Sequence, residues 1–155
     1  MTATQSSSLL DLLDRVETGE PPEIPSIYTA EGAGPAAAGE TFTSHDPSCE
    51  ALLCRLSRGR EADVDRAVVS AAEALHGPWG DMAPEARGRL LMQLADLIES
   101  HADRLARLET LDMGKPLSSS RGDVRGVCAT LRYNAGWADK LQGITLPLGP
   151  DFVDY

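Results

Sequence analysis

The chain has 155 residues, which is long enough for a single domain with one hydrophobic core. Its hydrophobic content of 42% and charged content of 25% are ordinary for a soluble globular protein. The formal net charge of -10 argues against a nucleic-acid partner, because phosphate binding needs a clustered basic surface and the sequence has none. No stretch approaches the roughly 20 apolar residues of a membrane span, so no membrane partner is expected.

The compartment is predicted from the N-terminus and the cysteines. The first eight residues lack the basic region of a signal peptide, and the apolar run from Leu9 to Leu13 is too short for its hydrophobic region. Cys49, Cys54 and Cys128 are odd in number and are not spaced as a zinc site. We therefore expect reduced thiols in a cytoplasmic protein.

The first part of the chain carries weak signals. Residues 1–22 are predicted to be a leader, either a short helix or disordered, because apolar residues recur at helical spacing before the breaker Gly19-Glu20-Pro21-Pro22. Weak strand signals follow at Ile27-Tyr28 and at 41–43. The apolar run 51–56 predicts a further strand, with 57–60 as a loop.

A helical pattern begins at Glu61, where acidic residues fill the first turn and apolar residues recur on one face: Val64, Val68, Ala71, Ala72 and Leu75. The next helix is predicted to start at Pro84, with Ala83 as a poor N-cap and a break near Ser100-His101. Its apolar stripe is predicted to be core: Leu90, Leu91, Leu94, Leu97, Ile98, Leu105 and Leu108.

The last predicted helix lies between two glycine signals. Gly114 suits a left-handed position that closes the preceding helix, and Pro116 can open the next one, which continues to about Lys140. Apolar residues alternate along 144–148 after Gly143, and a turn at Gly149-Pro150 leads into another short apolar run. The segment 142–155 therefore predicts the first half of a β-hairpin.

Two phrases indicate a family. Leu108-Glu109-Thr110-Leu111-Asp112-Met113-Gly114-Lys115-Pro116 is followed by Leu131-Arg132-Tyr133-Asn134-Ala135-Gly136-Trp137-Ala138-Asp139-Lys140. Together with 39–47, 63–68 and 79–99, which follow the same order, they resemble the N-terminal portion of the aldehyde dehydrogenase superfamily. Within it, the sequence is most similar to the general and betaine aldehyde dehydrogenases.

The resemblance implies an α/β fold. It implies that 23–141 is the helix-rich N-terminal part of a Rossmann-like NAD(P)-binding domain, incomplete here, and that 142–155 begins a β-hairpin oligomerisation arm. It also implies oxidation of a small aldehyde to a carboxylic acid with NAD or NADP, in an enzyme that is a homodimer or homotetramer when complete. The nucleophilic cysteine, the general base and the cofactor loop of the family do not map onto any residue of this chain, so no catalytic or cofactor-binding residue is assigned.

Two sites are carried over from the resemblance. Some members bind a monovalent cation through positions that correspond to Ser44, His45 and Asp112, the first two through backbone carbonyls. Asp112 can equally pair with Lys115 or Arg107, or face water. The positions Gly122 and Gly126 correspond to the mouth of the substrate tunnel, although a glycine in a helix can equally serve close packing.

Two functions remain to be separated. The leading hypothesis is the N-terminal fragment of an NAD(P)-dependent aldehyde dehydrogenase that is inactive as this chain alone. The alternative is a non-catalytic interaction or assembly module derived from the same fold. Cys128 is predicted to be a buried structural thiol, because it lies in an apolar helical stripe without a cationic neighbour. Gly32-Ala33-Gly34 is discounted as a phosphate loop because no strand and helix flank it.

Overall fold

The computed structural model describes residues 21–143, together with Arg15 and Thr18. The predicted leader and the predicted hairpin arm therefore lie almost entirely outside the described residues. The described chain contains five strands and four helices: β1 (Glu23–Ile24), β2 (Ile27–Thr29), β3 (Gly32–Gly34), β4 (Thr41–His45), β5 (Leu52–Ser57), α1 (Glu61–Leu75), α2 (Pro84–Ser100), α3 (Ala102–Met113) and α4 (Leu117–Trp137).

The strands form two small sheets. In the larger one β5 lies in the centre, parallel to β1 and antiparallel to β4, with Ser44 opposite Cys54. The strands β2 and β3 form a separate antiparallel hairpin. The prediction that Ser57 begins a loop is wrong: Ser57 is the buried last residue of β5, and its hydroxyl accepts a hydrogen bond from the Ser26 backbone N–H at 3.2 Å.

The helix α1 is fixed at its N-terminus by Asp63, whose side chain is 2% exposed. Its carboxylate accepts backbone N–H bonds from Arg60 at 3.0 Å and from Ala37 at 2.9 Å, and it pairs with Arg66 at 3.1 Å. The backbone bonds from Arg60 and Ala37 hold the pKa of Asp63 below its usual range. Asp63 thus joins the first turn of α1 to the segment that precedes β4.

The apolar face of α1 does not lie in a core. Val64, Val68 and Leu75 are all exposed within the described residues. The face that contacts β2 carries small residues instead, and the Ser70 hydroxyl accepts a hydrogen bond from the Ala30 backbone N–H at 2.8 Å. Periodicity identified the helix correctly, but the side of the helix that is covered depends on what packs against it.

The helices α2, α3 and α4 pack on one another, α2 against α4 most extensively. The buried residues of this layer are mainly small: Gly88, Ala95, Ala106, Ser120, Val124, Cys128 and Ala135. The prediction that the whole leucine stripe is core is therefore wrong in part, because Leu90, Leu94 and Leu97 are exposed. The helix α2 approaches α4 through its small buried residues, Gly88 and Ala95. The leucines of the stripe lie on either side of these small residues.

The helix boundaries largely confirm the predictions. His101 separates α2 from α3, Ala83 caps α2 without a side-chain hydrogen bond, and Gly114 ends α3 with a left-handed φ of 72°. Pro116 is the N-cap of α4 and not its first residue, and α4 ends at Trp137, three residues before the predicted Lys140. Among residues 21–143, no helix is both long and apolar enough to cross a membrane.

Candidate functional site

Two of the three residues predicted to hold a cation are in contact, through the hydroxyl of Ser44 and not through its predicted backbone carbonyl. Ser44 lies near the end of β4, and Asp112 lies in the last turn of α3. The Ser44 hydroxyl donates a hydrogen bond to Asp112 Oδ1 at 2.7 Å. His45 is the exposed last residue of β4, and the β4–β5 pairing is irregular between Ser44 and His45. Asp112 is exposed, so a serine hydroxyl and an aspartate carboxylate meet at the surface.

The turn after β4 is held in place by its own hydrogen bonds. Asp46 Oδ1 accepts bonds from the Ser48 hydroxyl at 2.6 Å and from the Ser48 backbone N–H at 2.7 Å. These two bonds, the hydroxyl first, lower the pKa of Asp46. Asp46 therefore stabilises the Asp-Pro turn in the manner of an Asx turn.

Gly114 allows the end of α3 to approach this turn. A Cβ atom on Gly114 would lie 2.8 Å from Cγ of Pro47, a distance that real Cβ atoms do not tolerate. The positive φ of Gly114 is likewise the conformation that glycine adopts without strain. The position of Asp112 beside Ser44 thus depends on a glycine two residues away.

Lys115 binds other carboxylates. Its Nζ contacts Glu109 Oε1 in α3 and Asp123 Oδ2 in α4. These hydrogen bonds, the one to Asp123 first, raise the pKa of Lys115. The sequence indicated a Lys115–Asp112 pair and not this cluster, because Asp123 reaches Lys115 only once the α3–α4 turn sets the angle between the two helices.

A cavity of about 330 Å³ lies between the larger sheet and α3, beside Asp112. Its lining is largely apolar, from Ile24, Leu53, Leu56 and Leu108, and also includes Cys54. Burial, and the negative charge of Asp112 after it, raise the pKa of the Cys54 thiol. A thiol that stays protonated at neutral pH is a poor nucleophile, so this cysteine does not suit covalent catalysis.

The other two cysteines lie in different environments. Cys128 is buried in α4, where its Sγ donates to the Ala95 carbonyl oxygen at 3.6 Å, which confirms it as a structural thiol in a helical packing surface. Cys49 is exposed in the turn between β4 and β5. Within residues 21–143 no group of three or more His, Cys, Asp or Glu side chains is arranged to hold a metal ion.

The two predicted tunnel-mouth glycines lie together on α4. Gly122 and Gly126 line a groove of about 450 Å³ whose other lining residues are Asp123, Val127, Thr130 and Leu131. A Cβ atom on Gly126 would meet nothing within 4 Å, and one on Gly122 would only touch the end of Arg125 at 3.9 Å. Neither glycine is needed for close packing within the described structure. Both widen an open groove.

The glycine-rich phrase at the start of the chain is not a phosphate loop. Gly32-Ala33-Gly34, the one glycine-rich phrase considered, forms strand β3 of the small hairpin. It does not connect a strand to a helix N-terminus, as a phosphate loop would.

Comparison with known proteins gives consistent results. The family model described as "Aldehyde dehydrogenase family" matches residues 35–155. An aldehyde dehydrogenase of Alternaria alternata is 40% identical over 144 residues, covering 92% of this chain and 29% of that protein. The mitochondrial aldehyde dehydrogenase of Equus caballus is 47% identical over 123 residues, covering 77% of this chain and 25% of that protein.

Solved structures show the same relationship. An NAD+ complex of an aldehyde dehydrogenase from Bacillus cereus superimposes with a TM-score of 0.80 at 37% identity, covering 84% of this chain and 27% of that one. A betaine aldehyde dehydrogenase from Staphylococcus aureus, also with NAD+, has a TM-score of 0.73 at 33% identity, covering 77% and 24%. The chain thus spans about a quarter of the length of these relatives, and it belongs to the aldehyde dehydrogenase family, of whose fold it forms an N-terminal part.

Proposed function

We propose that this chain is the N-terminal part of an NAD(P)-dependent aldehyde dehydrogenase, which oxidises a small aldehyde to a carboxylic acid. The observation that carries the proposal is the family match over residues 35–155. Related structures contain NAD+, which supports NAD as the oxidant, while use of NADP remains part of the proposal. The alternative of a non-catalytic module is not favoured, because the relatives are themselves named aldehyde dehydrogenases.

In this proposal the chain has supporting roles, and the catalytic residues belong to other parts of the complete polypeptide. The buried thiols Cys54 and Cys128 do not suit a nucleophile, and Gly32-Ala33-Gly34 forms a strand and not a phosphate loop. We therefore expect no formation of NADH or NADPH by the 155-residue chain with aliphatic, aromatic or betaine aldehydes. The complete polypeptide that contains the chain should form it, and absorbance of the reduced cofactor measures both. Turnover by the 155-residue chain that disappears in Cys128→Ala would contradict this division.

The first proposed role is to hold a monovalent cation at Ser44, His45 and Asp112. Its support is the 2.7 Å contact between Ser44 and Asp112 and the chemistry of the donors, since hydroxyl, carbonyl and carboxylate oxygens are the ligands that hard cations prefer. An anionic side chain at the C-terminal end of α3 is also poorly placed against the helix dipole unless a cation joins it.

Thermal unfolding in different salts tests the cation site. Replacing choline chloride by NaCl or KCl at constant ionic strength should raise the Tm of the parent protein, because a ligand that binds the folded state stabilises it. Asp112→Asn should remove this increase, while Asp123→Asn, an equally exposed carboxylate on the neighbouring helix, should keep it. The same increase in parent and Asp112→Asn would exclude Asp112 as a ligand.

The second proposed role is to form the substrate entrance at Gly122 and Gly126. The open groove along α4 and the empty space beside Gly126 support it. In the complete polypeptide, Gly126→Met should raise KM for bulky aldehydes several-fold and leave that for acetaldehyde nearly unchanged. An equal effect on both substrates, or none on the bulky one, would remove Gly126 from the entrance.

The third proposed role is assembly of a homodimer or homotetramer in the cytoplasm, through the arm predicted at 142–155. The support is the alternation of Ile144, Leu146 and Leu148, which lie outside the described residues. Aspartate at Ile144 and Leu146 in the complete polypeptide should shift its mass in light scattering toward smaller species. An unchanged mass with both substitutions would exclude the arm from the assembly interface.

A further inference from the structure

The ion cluster between α3 and α4 has no part in the roles proposed so far. Lys115 lies in the turn between these helices and holds Glu109 from α3 and Asp123 from α4. Its side chain is 27% exposed, whereas that of Asp123 is 58% exposed. The lysine is thus covered by the two helices while its partner reaches the surface. The ammonium is charged at neutral pH, and its hydrogen bonds to Asp123 and Glu109 raise the pKa of Lys115 further.

Asp123 also belongs to the groove on α4. It lies between Gly122 and Gly126 in the chain and lines the same space. The remaining lining residues, Val127, Thr130 and Leu131, carry no charge, so Asp123 is the one ionisable side chain of the lining. Asp123 is therefore the charged side chain of the lining, and its charge is modified by the lysine that it binds. The Arg125 guanidinium lies beside the groove, 3.9 Å from where a Cβ on Gly122 would be.

We propose that the Lys115–Asp123 pair sets the charge selectivity of this groove, which makes Lys115 a specificity-determining residue for aldehydes that enter along α4. The inference rests on the proposed function, in particular on the groove as an entrance. The paired ammonium offsets the carboxylate, so neutral aldehydes enter without competition from cations. Lys115 acts through Asp123 and does not itself touch the substrate.

Removal of the lysine charge should expose the carboxylate to the groove. A full charge roughly 6 Å from a ligand in a water-filled groove changes the ligand's affinity by about threefold, which is large enough to measure and small enough to leave the fold intact. The change should favour cationic aldehydes and disfavour anionic ones. A loss of packing at the α3–α4 turn would instead affect all aldehydes alike.

Three aldehydes separate these effects in the complete polypeptide: betaine aldehyde, which is cationic, its uncharged carbon isostere tert-butylacetaldehyde, and succinic semialdehyde, which is anionic. In Lys115→Met, we expect kcat/KM for the cation relative to the isostere to rise about threefold, and that for the anion relative to the isostere to fall about threefold. The change should lie in KM, with kcat nearly constant. Lys115→Arg should restore the parent ratios, because arginine retains the charge.

Further variants keep the test valid if Lys115→Met does not fold. Asp123→Asn should shift both ratios in the opposite direction, and the double variant Lys115→Met/Asp123→Asn should return them toward the parent values, because it regains the net charge of the cluster. Arg121→Met is the matched control: Arg121 pairs with Asp103 at 2.6 Å and joins the same two helices, but it does not line the groove.

The outcomes distinguish the inference from the proposed function. Equal losses for all three aldehydes in Lys115→Met, or the same shift in Arg121→Met, would overturn the charge-selectivity proposal alone. If Gly126→Met leaves bulky aldehydes unaffected, the groove is not an entrance and both the entrance and this inference fail. A complete polypeptide that oxidises none of the three aldehydes would overturn the proposed function itself.

Discussion

The α2–α4 helix pair and helix α1 differ in which residues are buried and in what holds them in place. Where α2 meets α4, the buried residues are small and closely packed: a Cβ atom on Gly88 would lie 2.8 Å from the carbonyl oxygen of Ala135. In α1 the buried residue is the charged Asp63, while Val64 and Val68 are exposed. The helix pair is stabilised by close backbone approach, whereas α1 is held by hydrogen bonds, through Asp63 at its N-terminal end and through Ser70 farther along.

The difference shows that hydrophobicity does not by itself identify the core of this chain. A large apolar side chain is buried only if another element covers it, and among the described residues nothing covers the valines of α1. Small residues are buried in the helix pair because they allow two backbones to come together. The following changes test this contrast, beginning with the largest expected effect.

Gly88→Ala should be the most damaging of these changes. The added Cβ would meet the backbone of α4 at Ala135, which cannot rotate away, so we expect a loss of about 2 kcal/mol in the free energy of unfolding. The matched control is Gly126→Ala on the exposed side of α4, which should gain about 1 kcal/mol from helix propensity. Urea denaturation measures both, and equal values for the two variants would refute close packing at Gly88.

Gly114→Ala should cost about 1–2 kcal/mol, because the left-handed conformation is unfavourable for alanine and the added Cβ would collide with Pro47. Gly136→Ala provides a control, since a Cβ there meets nothing within 4 Å. Urea denaturation again gives the values. A harmless Gly114→Ala would mean that α3 ends in another conformation, and the contact between Ser44 and Asp112 would then need a different explanation.

Asp63→Asn tests the hydrogen-bonded end of α1 through pH. Because the pKa of Asp63 is lowered in the folded state, its carboxylate contributes stability that is complete above the ordinary aspartate value of about 3.9 and is lost as the pH falls through the lowered folded value. The stability difference between parent and variant should therefore shrink on acidification below about pH 4. Thermal unfolding from about pH 6 to about pH 3 measures this stability difference.

The control for this test is Asp65→Asn, an exposed position in the same part of α1. Its stability difference from the parent should be small across the range, since a solvent-exposed charge contributes little to stability. A constant difference between parent and Asp63→Asn at every pH would show that the carboxylate charge does not anchor the helix.

The smallest effect is expected for Val68→Ala, within about 0.5 kcal/mol, because Val68 is 62% exposed. Val124→Ala is the same substitution at a buried position of α4, and it should cost about 2 kcal/mol. Urea denaturation of the 155-residue chain compares them directly. Similar losses would show that the valine face of α1 is covered in solution.

Much of the secondary structure follows from local signals. The start of α1 at Glu61, the break at His101 and the left-handed Gly114 were all predicted, because charge placement and glycine conformation act within a few residues. The end of β5 at Ser57 was not, because that residue is in the strand through its pairing with Thr41 of β4, 16 positions earlier. Local propensity carries no information about such a partner.

The candidate sites likewise include one that could be predicted from the sequence and one that could not. Family resemblance placed Ser44, His45 and Asp112 near one another, and the structure brings Ser44 and Asp112 into contact while His45 lies at the exposed strand end. The Lys115 cluster could not be predicted, since Lys115 and Asp123 are eight residues apart and meet only because the turn at Gly114 and Pro116 sets α4 beside α3.

The sequence by itself determined the family, the helices and the glycines that permit a close turn, because motif order, periodicity and backbone conformation are properties of neighbouring residues. Only the tertiary structure decided which faces are buried and which carboxylates are paired. Burial and ion pairing depend on the elements that meet in space, so Ala95 is completely buried while Leu97, two residues later and far more apolar, is exposed.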